Sequence, residues 1–557
     1  MPVYETIELH FRPIAGAKVQ HLSIPVAPIN VFVGPNSSGK STAINELAGV
    51  RREHLVVCDR SVLGRETEAA LRLFVRANPQ FLSTYEYPRV KEIVEAEREG
   101  TRFIARAERQ VRTSLDSILR QIHQEYESAQ RVVLSVSNSL GLIAKGGRGR
   151  LKFAPQSRLD ALFRDDGAGE RFKALVHEMF GLYPVIDALH GELQLRLSSQ
   201  PLPENVGVLI QRENEEFLDA ALTPDALSDG TRSYIGLWGH LLSGKERLVF
   251  LDEAGAFLHP PLARKLGKQL TQLAIERDGH VFAATHSPDF VFGCVQAGCQ
   301  SNVIRLTYRD GVSTARLLST GDLLPLMRDP LLRSANILSG LFHDGVVVCE
   351  ADSDRAFYQE INERLLDRRE GLESCHFVNA QNWQTIPRIV RALRRLGIPA
   401  ALLVDLDAVI HDDARMLLEA AGVPETITRS MGQMRGDLAR GVDDRRQLKL
   451  LGLNAVAAGE REGWEKYLRD LAEYGIFAVP VGELEGWFPE LEIPRADKKQ
   501  WIVDMFARMG SDPGDAGYVR PAAGGPWDFV RAIARWILEP RRRGMPQLVG
   551  TELDDCP

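Results

Sequence analysis

Cysteine is scarce in this chain, with six in 557 residues. So few thiols exclude a disulfide scaffold and suit a reducing, cytoplasmic home. Cys294 and Cys299 have no second pair beside them, so they read as small buried hydrophobes rather than zinc ligands. Long apolar runs are lacking too. Ala400-Ala401-Leu402-Leu403-Val404 falls far short of the roughly 18 residues that span a bilayer. Met1-Pro2-Val3-Tyr4-Glu5 has no basic region leading into an apolar stretch, so no signal peptide and no membrane association are expected. Positive charge is not in excess. The 68 basic and 75 acidic residues leave a net charge of −7. That disfavours a chain-wide basic coat for nucleic acid and leaves room for a local basic groove.

What is present is an ordinary globular composition, 44% hydrophobic and 26% charged. At about 150 residues per domain, the length suggests three or four units. No fixed-period repeat occurs. Residues 3–33 alternate apolar and polar, and Ile29 to Val33 is an apolar strand running into a glycine loop. Residues 86–130 are rich in Glu, Arg, Gln and Ala with apolar residues at near-helical spacing, which predicts a helical insertion. Strands are expected at 192–198 and 206–210, then helix, strand, helix and strand over 227–290. A second α/β pattern starts near Asp344, with strands at Val346–Cys349, Ala400–Val404 and Ile476–Val481. Strands alternating with helices predict parallel sheet in both halves. The expected domains are 1–340, 341–490 and a helical extension over 491–557.

Gly34-Pro35-Asn36-Ser37-Ser38-Gly39-Lys40-Ser41-Thr42 has the P-loop spacing Gly-x4-Gly-Lys-Ser. The glycines let successive N–H groups point inward at phosphate, and the following helix N-terminus adds a favourable field. Asn36, Gly39, Lys40, Ser41 and Thr42 are the expected ATP contacts; Lys40 reaches the β and γ oxygens and Ser41 ligates magnesium. Leu248-Val249-Phe250-Leu251-Asp252-Glu253 delivers two acids at the end of an apolar strand. After a P-loop, Asp252 is placed to hold the magnesium and Glu253 to polarise the attacking water.

Glu350 ends the apolar run Val346-Val347-Val348-Cys349, with Asp354 four residues on, and Asp405 and Asp407 end the run Leu402-Leu403-Val404. Positions i and i+2 of a strand face one side, so Asp405 and Asp407 are expected to converge. Sites in open parallel sheets form at strand carboxyl ends. Four carboxylates there need divalent cations for neutralisation, and hard oxygen ligands suit Mg²⁺ or Mn²⁺. Two such ions position a water and stabilise the leaving oxygen of a phosphodiester.

Several stretches are similar to known families. Leu227-Ser228-Asp229-Gly230-Thr231 resembles the Leu-Ser-Gly-Gly-Gln signature of ABC ATPases, with Asp229 and Thr231 departing from it. Thr285-His286 resembles their switch histidine. Ala254 to Pro260 resembles the stretch after the second acidic motif in RecF-like and OLD-type ATPases. Glu350-Ala351-Asp352-Ser353-Asp354 resembles the Toprim motif Glu-Gly-x-Ser-Asp, with alanine for glycine. Val481-Gly482-Glu483-Leu484-Glu485 resembles the later acidic element of OLD nucleases, in which Glu483 and Glu485 are both candidates.

Together these motifs resemble the OLD (overcoming lysogenization defect) family, an N-terminal ABC-type ATPase joined to a C-terminal Toprim nuclease. The resemblance implies an α/β fold: a P-loop ATPase with a helical insertion, then a Rossmann-like Toprim sheet and a small helical tail. It implies ATP bound by the P-loop residues with Asp252, Ser228, Gly230 and His286, and Mg²⁺ or Mn²⁺ held by Ser41 and Asp252 in one site. In the other, Glu350, Asp354, Asp405, Asp407 and Glu483 hold metal. Catalysis falls to Glu253, Glu350, Asp354, Asp405, Asp407 and Glu485. DNA, a second copy of the chain and a second defence-system protein are the expected partners. The expected activity is ATP-regulated, metal-dependent DNA cleavage in antiphage defence or DNA processing. The rival expectation is a DNA-bound sensor or clamp with a silent Toprim domain. Arg394-Arg395, Arg445-Arg446 and Arg541-Arg542-Arg543 are candidate phosphate contacts.

Overall fold

The structure is a computed structural model. It describes residues 6–11, 20–48, 56–60, 131–135, 145–147, 155–187, 192–201, 212–309, 312–442, 444–494 and 498–546. The expected insertion at 86–130 and strand at 206–210 lie outside the described residues. The chain divides into two compact units. One runs essentially to Asn302; the other is Val303–Pro557 together with two short earlier segments, Arg12–Gln20 and Val33–Gly39.

The first unit is built on parallel strands. In chain order its elements are β1 (Ile29–Val33), α1 (Lys40–Leu47), β2 (Arg131–Ser135), α2 (Asp229–Ser243), β3 (Leu248–Asp252), α3 (Pro260–Glu276), β4 (His280–Ala284) and α4 (Pro288–Gln296). Strand β4 lies between β1 and β3, and β2 pairs with the far side of β3, all in parallel. Every residue of β1 and β4 is buried, as expected of strands covered on both faces. Asn30 is tolerated inside β1 because both its amide oxygen and its amide nitrogen are hydrogen-bonded. Its Oδ1 accepts from Ala27 N at 3.1 Å and Asn302 Nδ2 at 2.9 Å, and its Nδ2 donates to Ala27 O at 2.8 Å. Helix α2 buries Tyr234, Trp238 and Leu241, and Tyr234 satisfies its hydroxyl on Gln269 Oε1 at 2.8 Å. Antiparallel pairings outside this sheet include Thr6–Phe11 with Val56–Arg60, and Glu192–Ser198 with both Tyr183–Asp187 and Lys145–Gly147.

The second unit holds β5 (Gly345–Cys349), α5 (Asp352–Leu366), β6 (Cys375–Asn379), α6 (Ile386–Arg395), β7 (Ala400–Val404), α7 (Arg445–Leu451), β8 (Ile476–Ala478), α8 (Lys498–Met509) and α9 (Gly525–Leu538). The sheet order is β6-β5-β7-β8, with all pairs parallel. The chain leaves β5 in one direction for β6 and returns on the other side for β7. The crevice between the carboxyl ends of β5 and β7 is therefore a topological switch point. Helices α8 and α9 bury Trp501, Met505, Trp527 and Ile533 in the same core as Val347, Phe357, Tyr358 and Ile361. Each such side chain contributes roughly 1.5–3 kcal/mol. The C-terminal helices are thus part of this sheet's core. Arg364 fastens them: from inside α5 it donates to the carbonyls of Met509 at 3.0 Å, Val519 at 2.8 Å and Gly510 at 2.6 Å. Among the described residues no helix is long and apolar enough to cross a membrane.

Candidate functional site

Two clusters of chemistry-bearing side chains stand at strand ends. Ahead of α1, the turn Gly34–Gly39 has positive φ at Gly34, Ser37 and Gly39 (148°, 61° and 91°). The turn closes through Ser38 N to Pro35 O at 3.3 Å. Asn36 is exposed and Lys40, which opens α1, is buried. Burial pushes the Lys40 ammonium down to about 8, against the opposing pull of Asp252. Ser41 Oγ donates to Asp252 Oδ1 at 2.9 Å, and Asp252 Oδ1 also accepts from Glu253 N at 3.1 Å. Glu253 is exposed, with φ at 57°. Thr42 is half-buried on α1.

His286 follows β4. Beside it the buried Thr285 donates to Ala254 O at 2.6 Å and accepts from Ser287 N at 3.0 Å, and Ser287 caps α4. That bracing holds the histidine at the strand end. Its imidazole is biased toward the neutral form by burial and then by Lys40, with Asp252 opposing. Lys40, Ser41, Asp252 and His286 are thus brought together.

Ser228 and Gly230 begin α2. Ser228 is its N-cap and accepts from Thr231 N at 3.3 Å. Gly230 has a packing reason of its own, since a Cβ there would fall 2.4 Å from the Phe257 carbonyl oxygen.

In the second unit Glu350 follows β5 and Asp405 follows β7, at the switch point. Glu350 Oε2 is buried. Asp354 is nearly buried, and its Oδ2 accepts from Ala351 N at 2.9 Å, tying the start of α5 to the strand end. Ala351 has φ −129° and ψ 173°, ordinary extended backbone, so alanine in place of the family's glycine costs nothing. Asp405 feels three neighbouring carboxylates. Burial, Glu350, Asp354 and Asp407 push its carboxyl up to about 8, and Lys449 opposes them.

The expected reason for the meeting of Asp405 and Asp407 needs correction. The strand stops at Val404, and Leu406–Ile410 is a 3-10 turn, so strand alternation does not align them. They meet at a third residue: Lys449 Nζ stands 3.3 Å from Asp405 Oδ2 and 3.9 Å from Asp407 Oδ2. Of the two candidates for the later acid, Glu483 precedes and Glu485 lies on a 3-10 turn, Leu484–Gly486, beyond the end of β8 at Ala478, and both are buried.

Sequence reading missed Lys449. A single lysine on α7 beside Arg445-Arg446 carries no pattern that marks it. Arg394 is the opposite case. It is buried and gives its donors to the carbonyls of Ala400, Ala421, Tyr474 and Gly544, so it is a structural fastener rather than a phosphate contact. Arg542 likewise donates to Trp536 O and Ile537 O.

The carboxylate set is hard oxygen throughout, the chemistry that Mg²⁺ and Mn²⁺ prefer, and the charge crowded around Asp405 calls for a cation. Among the described residues no three of these groups already converge as a metal-holding cluster.

Two family models match stretches of this chain. A family model described as "AAA domain, putative AbiEii toxin, Type IV TA system" matches residues 81–291, which contain Asp252 and His286. A second, "Overcoming lysogenization defect protein-like, TOPRIM domain", matches residues 341–407, which contain Glu350, Asp354, Asp405 and Asp407. The chain joins an AAA-type ATPase domain to an OLD-like Toprim domain. No curated protein matches it. Among solved structures, cbiO1 from Clostridium perfringens, part of the ABC transporter complex cbiONQ, is 14% identical. The match covers 60% of this chain and 95% of that one, with a TM-score of 0.29. The SmcHead bound to the C-winged helix domain of ScpA is also 14% identical, covering 58% and 99%, with a TM-score of 0.34.

Proposed function

We propose that this chain is an ATP-regulated, divalent-metal-dependent DNA endonuclease of the OLD type. The observation that carries the reading is the crowding of Glu350, Asp354 and Asp407 about Asp405 at the sheet's switch point, in a chain that also bears a P-loop. Glu350, Asp354, Asp405 and Asp407 are the residues that would hold Mg²⁺ or Mn²⁺, with Glu483 or Glu485 as the later acid. Such ions supply a water of lowered pKa and stabilise charge on the leaving phosphodiester oxygen. The protein's own part is to gather the carboxylates at the strand ends and to keep Asp354 fixed at the start of α5.

In the ATPase domain, Lys40, Ser41 and Asp252 bind ATP and magnesium, with Asn36, Gly39 and Thr42 in the same loop and helix. Glu253 orients the attacking water and His286 faces the γ-phosphate. Ser228 and Gly230 act on nucleotide held by a second protomer, which makes the working form at least a dimer. Nucleotide then governs assembly or access of DNA to the Toprim site. Cytoplasmic antiphage defence or DNA processing, with a second defence-system protein as partner, is the setting this reading favours.

One observation favours a second reading, a DNA-bound sensor or clamp with a silent Toprim domain: Lys449 already neutralises Asp405 and Asp407. Plasmid nicking by the full chain separates the two. The assay uses Mg²⁺, Mn²⁺ or EDTA, with and without ATP, beside Asp405→Ala/Asp407→Ala. Cleavage lost in EDTA and in the double variant supports the nuclease. A double variant that nicks as fast as wild type places the chemistry elsewhere. Absence of cleavage on plasmid, single-stranded DNA and RNA turns the reading to the sensor.

A further inference from the structure

We propose that Lys449 is a resident cation of the Toprim site: its ammonium occupies the place beside Asp405 and Asp407 that a divalent ion takes, and metal binding displaces it. The proposal rests on the reading of those carboxylates as metal ligands. Its own support is geometric. Lys449 Nζ lies 3.3 Å from Asp405 Oδ2 and 3.9 Å from Asp407 Oδ2, so one ammonium serves two carboxylates from the same strand end.

The backbone beneath Lys449 is fixed by the fold. Helix α7 ends against the turn that leads from β8 to Glu483. Gly482, with φ 99°, packs so closely that a Cβ would lie 2.1 Å from the Lys449 carbonyl oxygen. Gly452, with φ 58°, meets the same turn from the other side, where a Cβ would lie 2.2 Å from Pro480 O. Leu453 N donates to Pro480 O at 2.9 Å, and Leu406 N donates to Gly482 O at 2.9 Å. The turn therefore locks α7 to the segment carrying Asp405 and Asp407. Two positive-φ glycines in backbone contact make this a built juxtaposition rather than a chance meeting of long side chains.

The side chain itself is free to leave. Lys449 is 37% exposed against 15% for Asp405, and its four-carbon stem lets the ammonium swing to water while the helix stays in place. A fixed anchor with a mobile charge suits a residue that neutralises the acids in the metal-free protein and gives way to a divalent ion. The ammonium and a divalent ion compete for the same two aspartate side chains, and their mutual repulsion opposes joint occupancy. The ammonium therefore weakens metal binding and raises the metal concentration at which the site fills.

The test is Mn²⁺ titration calorimetry on the full chain without nucleotide, so that the P-loop adds no metal site of its own. Wild type, Lys449→Met, Lys449→Arg and Asp405→Asn/Asp407→Asn are compared. Removing the charge should tighten Mn²⁺ binding by about tenfold or more, whereas Lys449→Arg, which keeps it, should stay close to wild type. Thermal unfolding gives a second readout. Metal-free Lys449→Met should melt below wild type, because Asp405 and Asp407 lose their counter-ion, and Mn²⁺ should raise its melting temperature by more than it raises that of wild type. Equal or weaker Mn²⁺ binding by Lys449→Met, with wild type binding normally and the aspartate variant not, overturns the displacement and leaves the metal site standing. If neither wild type nor Lys449→Met binds Mn²⁺, the metal reading and the displacement fall together.

Discussion

Ser41 Oγ and Asp252 Oδ1 are joined by a 2.9 Å hydrogen bond between the first turn of the P-loop helix and the end of the neighbouring acidic strand. Magnesium in an ATP complex is held by this pair of side chains in P-loop enzymes. Asp252→Asn should therefore cut ATP turnover by about 100-fold or more, with nucleotide affinity in EDTA little changed. Steady-state hydrolysis and nucleotide titration with and without Mg²⁺ check this. Equal loss of affinity in both conditions would assign Asp252 to the fold instead.

Lys40 carries a pH signature. Its ammonium is held down to about 8 by burial, so the metal-free, nucleotide-free protein loses that charge above this pH. Phosphate needs the charged form. ATP affinity should fall as pH rises past about 8, and Lys40→Ala should bind at least about tenfold more weakly with that pH dependence abolished. Fluorescent-nucleotide titrations between pH 6.5 and 9.5, roughly spanning the shifted value, read both effects.

Asp405 gives a pH dependence of stability with a definite sign. Its carboxyl lies near 8 in the fold against 3.8 ordinarily, so between those values the folded state holds a proton that the unfolded chain has released. This contribution is fully present below the ordinary value and is lost as pH rises toward 8. The metal-free protein should lose stability over that window, and Asp405→Asn should flatten the slope. Mn²⁺ stabilisation should grow over the same window as the ion displaces the proton. Denaturant midpoints at several pH values, with and without Mn²⁺, measure the three slopes.

Arg394 should behave as a structural residue. Its loss leaves the carbonyls of Ala400, Ala421, Tyr474 and Gly544 without their donor inside the core. Arg394→Ala should cost about 3–5 kcal/mol in denaturant unfolding while leaving the salt dependence of DNA binding intact in the folded fraction. Arg445 and Arg446 are exposed, and replacing both should lower that salt slope.

Much of this protein is local in sequence. An apolar run of five residues that ends in glycine or an acid and precedes a helical stretch can only be a buried strand feeding a strand-end loop. Ile29–Val33, Leu248–Asp252, Gly345–Cys349 and Ala400–Val404 are all of that kind. The P-loop and the candidates Glu350, Asp354, Asp405 and Asp407 were legible for the same reason. Each lies within a few residues of the strand that places it.

Reading from strand alternation failed where the chain changed its backbone type. Asp407 lies on a 3-10 turn, and a two-residue spacing predicts nothing about facing once the strand has ended. The basic clusters misled similarly. Arg394 and Arg395 look alike in sequence, yet Arg394 is buried and Arg395 is exposed, because the face of α6 on which each falls depends on the sheet beneath.

Sequence alone determined the two-part α/β architecture and the identity of the strand-end acids, because periodicity and strand-end chemistry are properties of neighbouring residues. Only the tertiary structure decided the switch point between β5 and β7, the sharing of one core by the C-terminal helices and the Toprim sheet, and the meeting of Lys449 with Asp405 and Asp407. Those relations join residues far apart in the chain, and they follow from sheet order and from backbone packing at Gly452 and Gly482, which no local pattern encodes.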